Sequence, residues 1–293
     1  MLKGFIIEKL KDYKFKLVKI NEPSSEFLNL IKNHKSSSNH KFKEKLKKIR
    51  ENDLANFIFL LRVLDFRLWE FKENWKYRDE VDFWGLMERL IDLIKIENLL
   101  NINFTTFKKI ISPKESLTLA KLRYRIFKNS LNWLYKNYDG DFLNYFEENK
   151  KPLDFCLNLL KLEKFQDYYN NIYFLKPNQL LYLEFIISKN LLKKFESELN
   201  ELTIFADYKL VQTFLNFGII YLPKKYLEKI KRGKIIKKQS ILENELRAGA
   251  IFVGEILVQK LKLPSYLIDN LIWDLSHKIK LKIPHPKVKT IFY

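Results

Sequence analysis

Asp207 closes the apolar run Leu202-Thr203-Ile204-Phe205-Ala206 and opens a stretch in which Leu210, Val211, Phe214 and Phe217 recur at helical spacing. A carboxylate in that setting has two uses. It can cap the helix by accepting hydrogen bonds from its first backbone N–H groups. It can also stand at a helix end whose unpaired N–H groups attract an anion, a phosphate or a ribose hydroxyl among them. The two uses do not conflict. Glu184 lies between Leu183 and Phe185 on an apolar helix opened by Lys176-Pro177-Asn178-Gln179. It is either a solvated residue on a polar stripe with Ser188 or a carboxylate facing a pocket, and periodicity does not decide. Lys176 by itself reads as a loop-end lysine, and Asp167 as a turn or cap residue. Arg247 either pairs on the surface with Glu243, one turn earlier, or ties helices together from inside.

Other chemistries find less support. The histidines His34, His40, His277 and His285 make no i,i+4 pair, and a lone cysteine cannot build a thiolate cluster, so no metal site is expected. Gly218, Gly233, Gly249 and Gly254 lack the spacing of a phosphate loop, and no nucleophile elbow is visible. No cofactor is expected. Cys156, beside Phe155 and Leu157, reads as core packing.

The elements that must position these residues are mostly helical. Leu54, Phe57, Leu60, Leu61 and Leu64 share a face within residues 53–69, and Phe83, Leu86, Leu90 and Ile94 share one within 82–99. Ser112-Pro113-Lys114-Glu115 has the pattern of a capping box, with a helix to follow through Leu119, Leu122, Ile126, Leu131 and Leu134 until Asp139-Gly140-Asp141 breaks it. Ser240-Ile241-Leu242-Glu243 is a second capping box, and Ser265 is placed to cap a last helix carrying Asp269 and Trp273. Strand-like alternation is weak at 15–20, and 172–175 reads as one short strand. The fold class is therefore all-α or nearly so, with one short β element. A single domain is expected over 1–293, with a small basic arm at 1–50, a helical body at 51–293, and a surface loop at 35–39.

The chain has 293 residues, 47% hydrophobic and 30% charged, the composition of a globular protein with a sizeable core. Its net charge is +19, densest in residues 1–50, where 14 Lys and Arg face 5 Asp and Glu. Such a balance suits either a polyanion partner, whose counterions lysines release, or lysines spread over solvated faces. No apolar run reaches membrane-span length, and Lys3, Glu8, Lys9 and Lys11 interrupt the start as no signal peptide does. A cytoplasmic location and no membrane partner are expected.

The residues from about 165 to 293 resemble the queuosine salvage family. Thr203-Ile204-Phe205-Ala206-Asp207-Tyr208-Lys209 is similar to its L-T-x-F-A-D-Y-R segment, and Gln212 matches the glutamine that follows. Leu215 to Gly218 resembles its L-x-x-L-G, Glu243 to Ala248 its E-x-E-I-R-A, Asp269 to Trp273 its D-x-x-L-W, and Thr290 to Tyr293 its T-I-F-Y. The earlier half is similar in fewer places. Leu64-Asp65-Phe66-Arg67-Leu68-Trp69 resembles L-N-F-x-F-W, departing at Asp65 and Leu68. The family's K-R-A-Q appears as Lys176-Pro177-Asn178-Gln179, and the aspartate five residues later as Glu184.

The resemblance implies a helical, metal-free hydrolase that cuts the N-glycosidic bond of queuosine 5′-monophosphate and releases queuine. Asp207 is then the catalytic carboxylate, stabilising positive charge on the ribose and orienting or deprotonating water. The same resemblance places Glu184 against the base or ribose hydroxyls, and Lys176 and Lys209 at the phosphate. Tyr208, Phe66 and Trp69 become stacking candidates, with core packing as the other reading for each. Gln212 and Arg247 complete the expected binding set. The small nucleotide is the expected partner, and nucleic acid is not required. Two other readings stand beside this one. A basic helical nucleic-acid binder or base glycosylase would need a contiguous basic groove, and a non-catalytic relative would keep the fold while losing key residues.

Overall fold

The computed structural model describes residues 1–36, 38–69, 76–96 and 98–293. Among them are fifteen α-helices and only two pairs of two-residue strands, so the fold is mostly all-α. The helices gather around two centres. In the first, Glu51–Leu64 packs against Lys176–Ser188, with Asp82–Leu93, Ala120–Tyr138, Phe142–Glu148 and Pro152–Asn158 around them. Nearly every residue of Lys176–Ser188 is buried, on all faces. A helix at the centre of a core loses its polar stripe, and that is why periodicity left Glu184 undecided. In the second centre, Tyr208–Asn216, Ile241–Leu261 and Ser265–Lys278 pack pairwise.

The basic residues 1–50 turn an apolar side to this body. Leu2–Lys11 contributes Leu2, Ile6 and Leu10 to the same core as Phe57 and Phe214, and Ser25–Asn33 contributes Phe27 and Ile31. Glu245, fully buried, accepts the backbone N–H groups of Lys16, Leu17 and Val18 at 2.8, 2.7 and 2.8 Å. A buried carboxylate that accepts three N–H bonds is well satisfied, and the segment it holds ends in a strand, Lys19–Ile20. That strand pairs antiparallel with Ile220–Tyr221, and Tyr168–Tyr169 pairs with Ile172–Tyr173.

Several sequence expectations need correction. The short strand read at 172–175 exists and pairs with Tyr168–Tyr169, and a second β pair accompanies it. The second joins segments two hundred residues apart, which local alternation cannot reveal. Ser112 precedes only a single 3₁₀ turn, Pro113–Glu115, and its side chain makes no cap bond to it. Its hydroxyl donates to the Leu117 carbonyl at 2.6 Å and accepts the Leu117 N–H at 3.1 Å, closing a loop. Lys114 and Leu119 have φ of 50° and 63°, a left-handed backbone that holds the start at Pro113 to one 3₁₀ turn, and the long helix opens only at Ala120. Pro264, not Ser265, takes the cap position of the last helix, and Ser265 instead accepts a hydrogen bond from Lys3 Nζ at 2.9 Å. Ser240 does cap its helix, its hydroxyl accepting the Glu243 N–H at 3.4 Å, while Glu243 reaches back one residue further than a capping box requires, to the N–H of Gln239. The loop expected at 35–39 lies partly outside the described residues, and a helix begins at Ser38. Among the described residues no helix is long and apolar enough to cross a membrane.

Candidate active site

A cavity of about 400 Å³ lies where the two groups of helices meet, a volume suited to a small ligand. Asp207, Glu184, Lys176, Tyr208, Lys209 and Trp69 all line it. Phe66, Gln212 and Arg247 lie outside its lining.

Asp207 reaches the cavity because the extended residues before it are held by buried side chains. Gln179 Oε1 accepts the Thr203 N–H at 2.8 Å, Asp269 Oδ1 accepts the Phe205 N–H at 2.8 Å, and Arg247 Nε donates to the Ala206 carbonyl at 2.9 Å. Gly254 lets the long helix approach this segment, since a Cβ there would stand 2.6 Å from the Ile204 side chain. The helix Tyr208–Asn216 then begins, and Oδ1 of Asp207 caps it by accepting the N–H groups of Lys209 and Leu210 at 2.7 and 3.1 Å. The other oxygen, Oδ2, faces Lys176 Nζ at 3.6 Å. One carboxylate thus serves both uses read from the sequence. The helix-end N–H groups of Lys209 and Leu210 are taken by the cap, however, and are not left for an anion.

Arg247 works behind this wall. It forks onto Asp167 at 2.6 and 2.7 Å, and the Asp167 carboxylate also accepts the Lys176 N–H at 2.9 Å. Burial opposes the arginine charge, but Asp167 outweighs it and raises the guanidinium pKa. The guanidinium lies over the rings of Phe174 and Tyr293, at 4.0 and 4.6 Å. One buried pair therefore fixes both the start of the Lys176 helix and the residue before Asp207. Arg247→Met leaves Asp167 charged and buried, so we expect a loss of about 3–5 kcal/mol of stability. Equilibrium denaturation measures it, and a loss below about 1 kcal/mol would contradict the role.

On one side of Asp207 stands a group of Arg62, Asp65, Glu184 and Lys176. Arg62 Nη1 donates to Asp65 Oδ2 at 2.6 Å, and its Nε stands 2.7 Å from Glu184 Oε2 without the alignment of a hydrogen bond. Burial pushes the Glu184 carboxyl up to about 7, against the pull of Arg62 and Lys176. Burial also acts on Asp65, but Arg62, Lys176 and Lys164 prevail and hold it below the usual carboxylate range. Lys209, His277, His285 and Asp82 form a second group in the lining. Burial lowers both histidine pKa values and that of Lys209, and raises that of Asp82. The ring of His285 sits 4.6 Å from that of Tyr208 and 5.9 Å from that of Trp69, and His277 sits 4.2 Å from Trp273. Asp269, buried next to Asp207, has its carboxyl pushed well above the usual range, first by burial and then by the Asp207 charge.

The residues outside the lining have other duties. Phe66 is buried beneath the Arg123 guanidinium, 4.1 Å from its ring. Gln212 donates to the Ile283 carbonyl at 3.0 Å, and Asn216 holds the same residue through both its N–H and its carbonyl, fixing the segment that delivers His285. Sequence reading missed Arg62, which hides in an apolar helix, and the two pocket histidines, which it weighed only as metal ligands. Asp269 and Trp273 stand in a segment singled out for its pattern, but no role followed from spacing alone. Among the described residues no group of three His, Cys, Asp or Glu gathers to hold a metal.

Comparison with known proteins places this geometry. The family described as "Queuosine salvage protein" matches residues 45–293. Among curated proteins, similarity extends to "Queuosine 5′-phosphate N-glycosylase/hydrolase" from three organisms. The Bos taurus protein is 22% identical over 280 residues, covering 82% of this chain and 81% of its own. The Nematostella vectensis protein is 24% identical over 284 residues, covering 82% of each. The Sphaerobacter thermophilus protein is 25% identical over 265 residues, covering 82% of this chain and 81% of its own. With a family match over residues 45–293, which hold both helical groups and every residue of the cavity lining except Phe42, the chain belongs to the queuosine salvage protein family.

Proposed function

We propose that the protein hydrolyses the N-glycosidic bond of queuosine 5′-phosphate and releases queuine. The observation that carries this reading is Asp207 itself. One oxygen is fixed by the helix it caps, and the other faces the cavity beside Lys176. A carboxylate so anchored does not reorganise as charge develops, which is the condition for electrostatic stabilisation of a transition state. The C1′–N9 bond breaks with its electron pair leaving on the base, and positive charge spreads over C1′ and the ring oxygen. Asp207 stabilises that charge and orients water. The water oxygen bonds C1′, and the proton it loses ends on the base. Ribose 5-phosphate and queuine are the products. Aromatic walls, with Tyr208, Trp69 and Trp273 among them, suit a planar base. Incubating the pure protein with queuosine 5′-phosphate and measuring free queuine by mass spectrometry tests the reading, and absence of release would reject it.

The pH profile supplies a second measurement. Glu184 ionises at about 7, so its charged form prevails above that pH and its neutral form below. If the carboxylate accepts hydrogen bonds from substrate, kcat/KM rises with pH through about 7. Glu184→Gln is expected to remove that rise while His277 and His285 continue to titrate. An unchanged profile in the variant would assign the ionisation elsewhere.

A further inference from the structure

Arg62 is the most unusual side chain in the cavity wall. It is only 3% exposed, in the middle of the apolar helix Glu51–Leu64, yet it lines the cavity. Asp65 binds one end of its fork, at Nη1. Its Nη2 is buried and, among the described residues, has no hydrogen-bond partner. Glu184 Oε2 is buried beside Nε and likewise lacks a hydrogen bond. Phe83 covers the guanidinium at 4.6 Å from its ring, which limits the positions the fork can take. Buried polar groups are nearly always satisfied, and leaving a charged donor unpaired is costly. A guanidinium with Nη2 lacking a hydrogen bond, ion-paired through Nε with a carboxylate 2.7 Å away, on two side chains that line one cavity, is the arrangement of a site that takes a ligand offering the opposite pattern.

The complementary ligand has donors and an acceptor side by side. The edge of a guanine-type base offers both: a ring N1–H and an exocyclic 2-amino group beside the O6 acceptor. We propose that Arg62 and Glu184 read this edge of a 7-deazaguanine base, the carboxylate accepting from N1–H and the 2-amino group while Nη2 donates to O6. This rests on the substrate class proposed above. The contact also has a role in the reaction. With carbon in place of N7, the leaving base cannot be neutralised at that atom. The electron pair released at N9 delocalises onto O6 instead, where a fixed cationic donor stabilises it more strongly than in the intact nucleotide.

The test uses the full chain and free bases, so it does not depend on turnover. Calorimetric titration with 7-deazaguanine, 7-deazahypoxanthine and 7-deazaadenine compares the full edge, the edge without its amino group, and the edge with its donor and acceptor pattern reversed. We expect 7-deazaguanine to bind tightest and 7-deazaadenine to bind at least about 10²-fold more weakly, since a site built to hydrogen-bond one pattern rejects its reverse. Equal binding of all three bases, or no binding of any, overturns the proposal. Glu184→Gln should weaken 7-deazaguanine about 10-fold or more while changing 7-deazaadenine little. Arg62→Lys should lower kcat for queuosine 5′-phosphate more than it raises KM, provided its unfolding curve matches the parent. If Arg62→Lys does not fold, the base series on the unaltered protein decides. Turnover of queuosine 5′-phosphate without base discrimination counts against the edge reader alone. Discrimination without turnover supports the reader and counts against the proposed function.

Discussion

Asp207→Asn is expected to lower hydrolysis of queuosine 5′-phosphate by on the order of 10²-fold or more, with the fold intact. The fold survives because the cap needs only an acceptor. The asparagine carbonyl can take the place of Oδ1, which receives the N–H groups of Lys209 and Leu210, and asparagine caps helices about as well as aspartate. That assignment forces the amide NH2 into the position of Oδ2. There it meets the Lys176 ammonium at a site where a carboxylate stood 3.6 Å away. A donor replaces an anion where the ribose would gain positive charge, so both the stabilising charge and the acceptor for water are lost. The test pairs a single-turnover assay with an unfolding curve. A variant that unfolds like the parent and turns over near its rate would remove Asp207 from the mechanism. A variant that loses both activity and stability would show that the cap, not the oxygen facing Lys176, is what matters.

How much of this was readable beforehand depends on distance along the chain. The cap at Asp207 is local chemistry and stands in the sequence, as does the one at Ser240. The placing of the Asp207 oxygen that faces Lys176 is not local. It depends on Gln179, Asp269 and Arg247, each fixing one backbone group of 203–206 from a different helix. Only the family resemblance pointed there before the structure. Glu184 and Arg62 were opaque for a related reason. Both sit on central helices whose faces are all covered, and in such helices the 3.6-residue stripe that separates inside from outside disappears. Arg247 left two readings open, and burial decides for the inner one. The error at Ser112 has a different source. The box pattern is present, but the left-handed residues Lys114 and Leu119 end it after one 3₁₀ turn, before an α-helix can start.

The second large effect concerns the phosphate. Queuosine 5′-phosphate is expected to exceed the free nucleoside in kcat/KM by on the order of 10²-fold or more. With the N–H groups of Lys209 and Leu210 taken by the cap, side chains must hold the phosphate, and Lys209, His277 and His285 are grouped on the cavity wall near Asp207. Hydrogen bonds to a charged partner contribute roughly 1.5–3 kcal/mol each, so two suffice for that ratio at about 1.4 kcal/mol per tenfold. Because this energy arises away from the bond that breaks, it can be spent on orienting C1′ toward Asp207 and so raise kcat as well as affinity. Burial keeps the histidines toward their neutral forms in the empty cavity. A bound dianion reverses that preference, so nucleotide binding should take up protons above pH 6.5, where free imidazole is mostly neutral. Lys209→Met should bring the nucleotide down toward the nucleoside and leave the nucleoside rate nearly unchanged. Modified tRNA should be a poor substrate, because a residue linked at both its 5′ and 3′ oxygens has no terminal phosphate to place beside Lys209. Measuring queuine release from nucleotide, nucleoside and tRNA at matched concentrations settles the order. Preferential release from tRNA, with a rate that falls steeply as salt rises, would instead give the +19 charge a polymer to bind and move the phosphate contacts from this cavity to the protein surface.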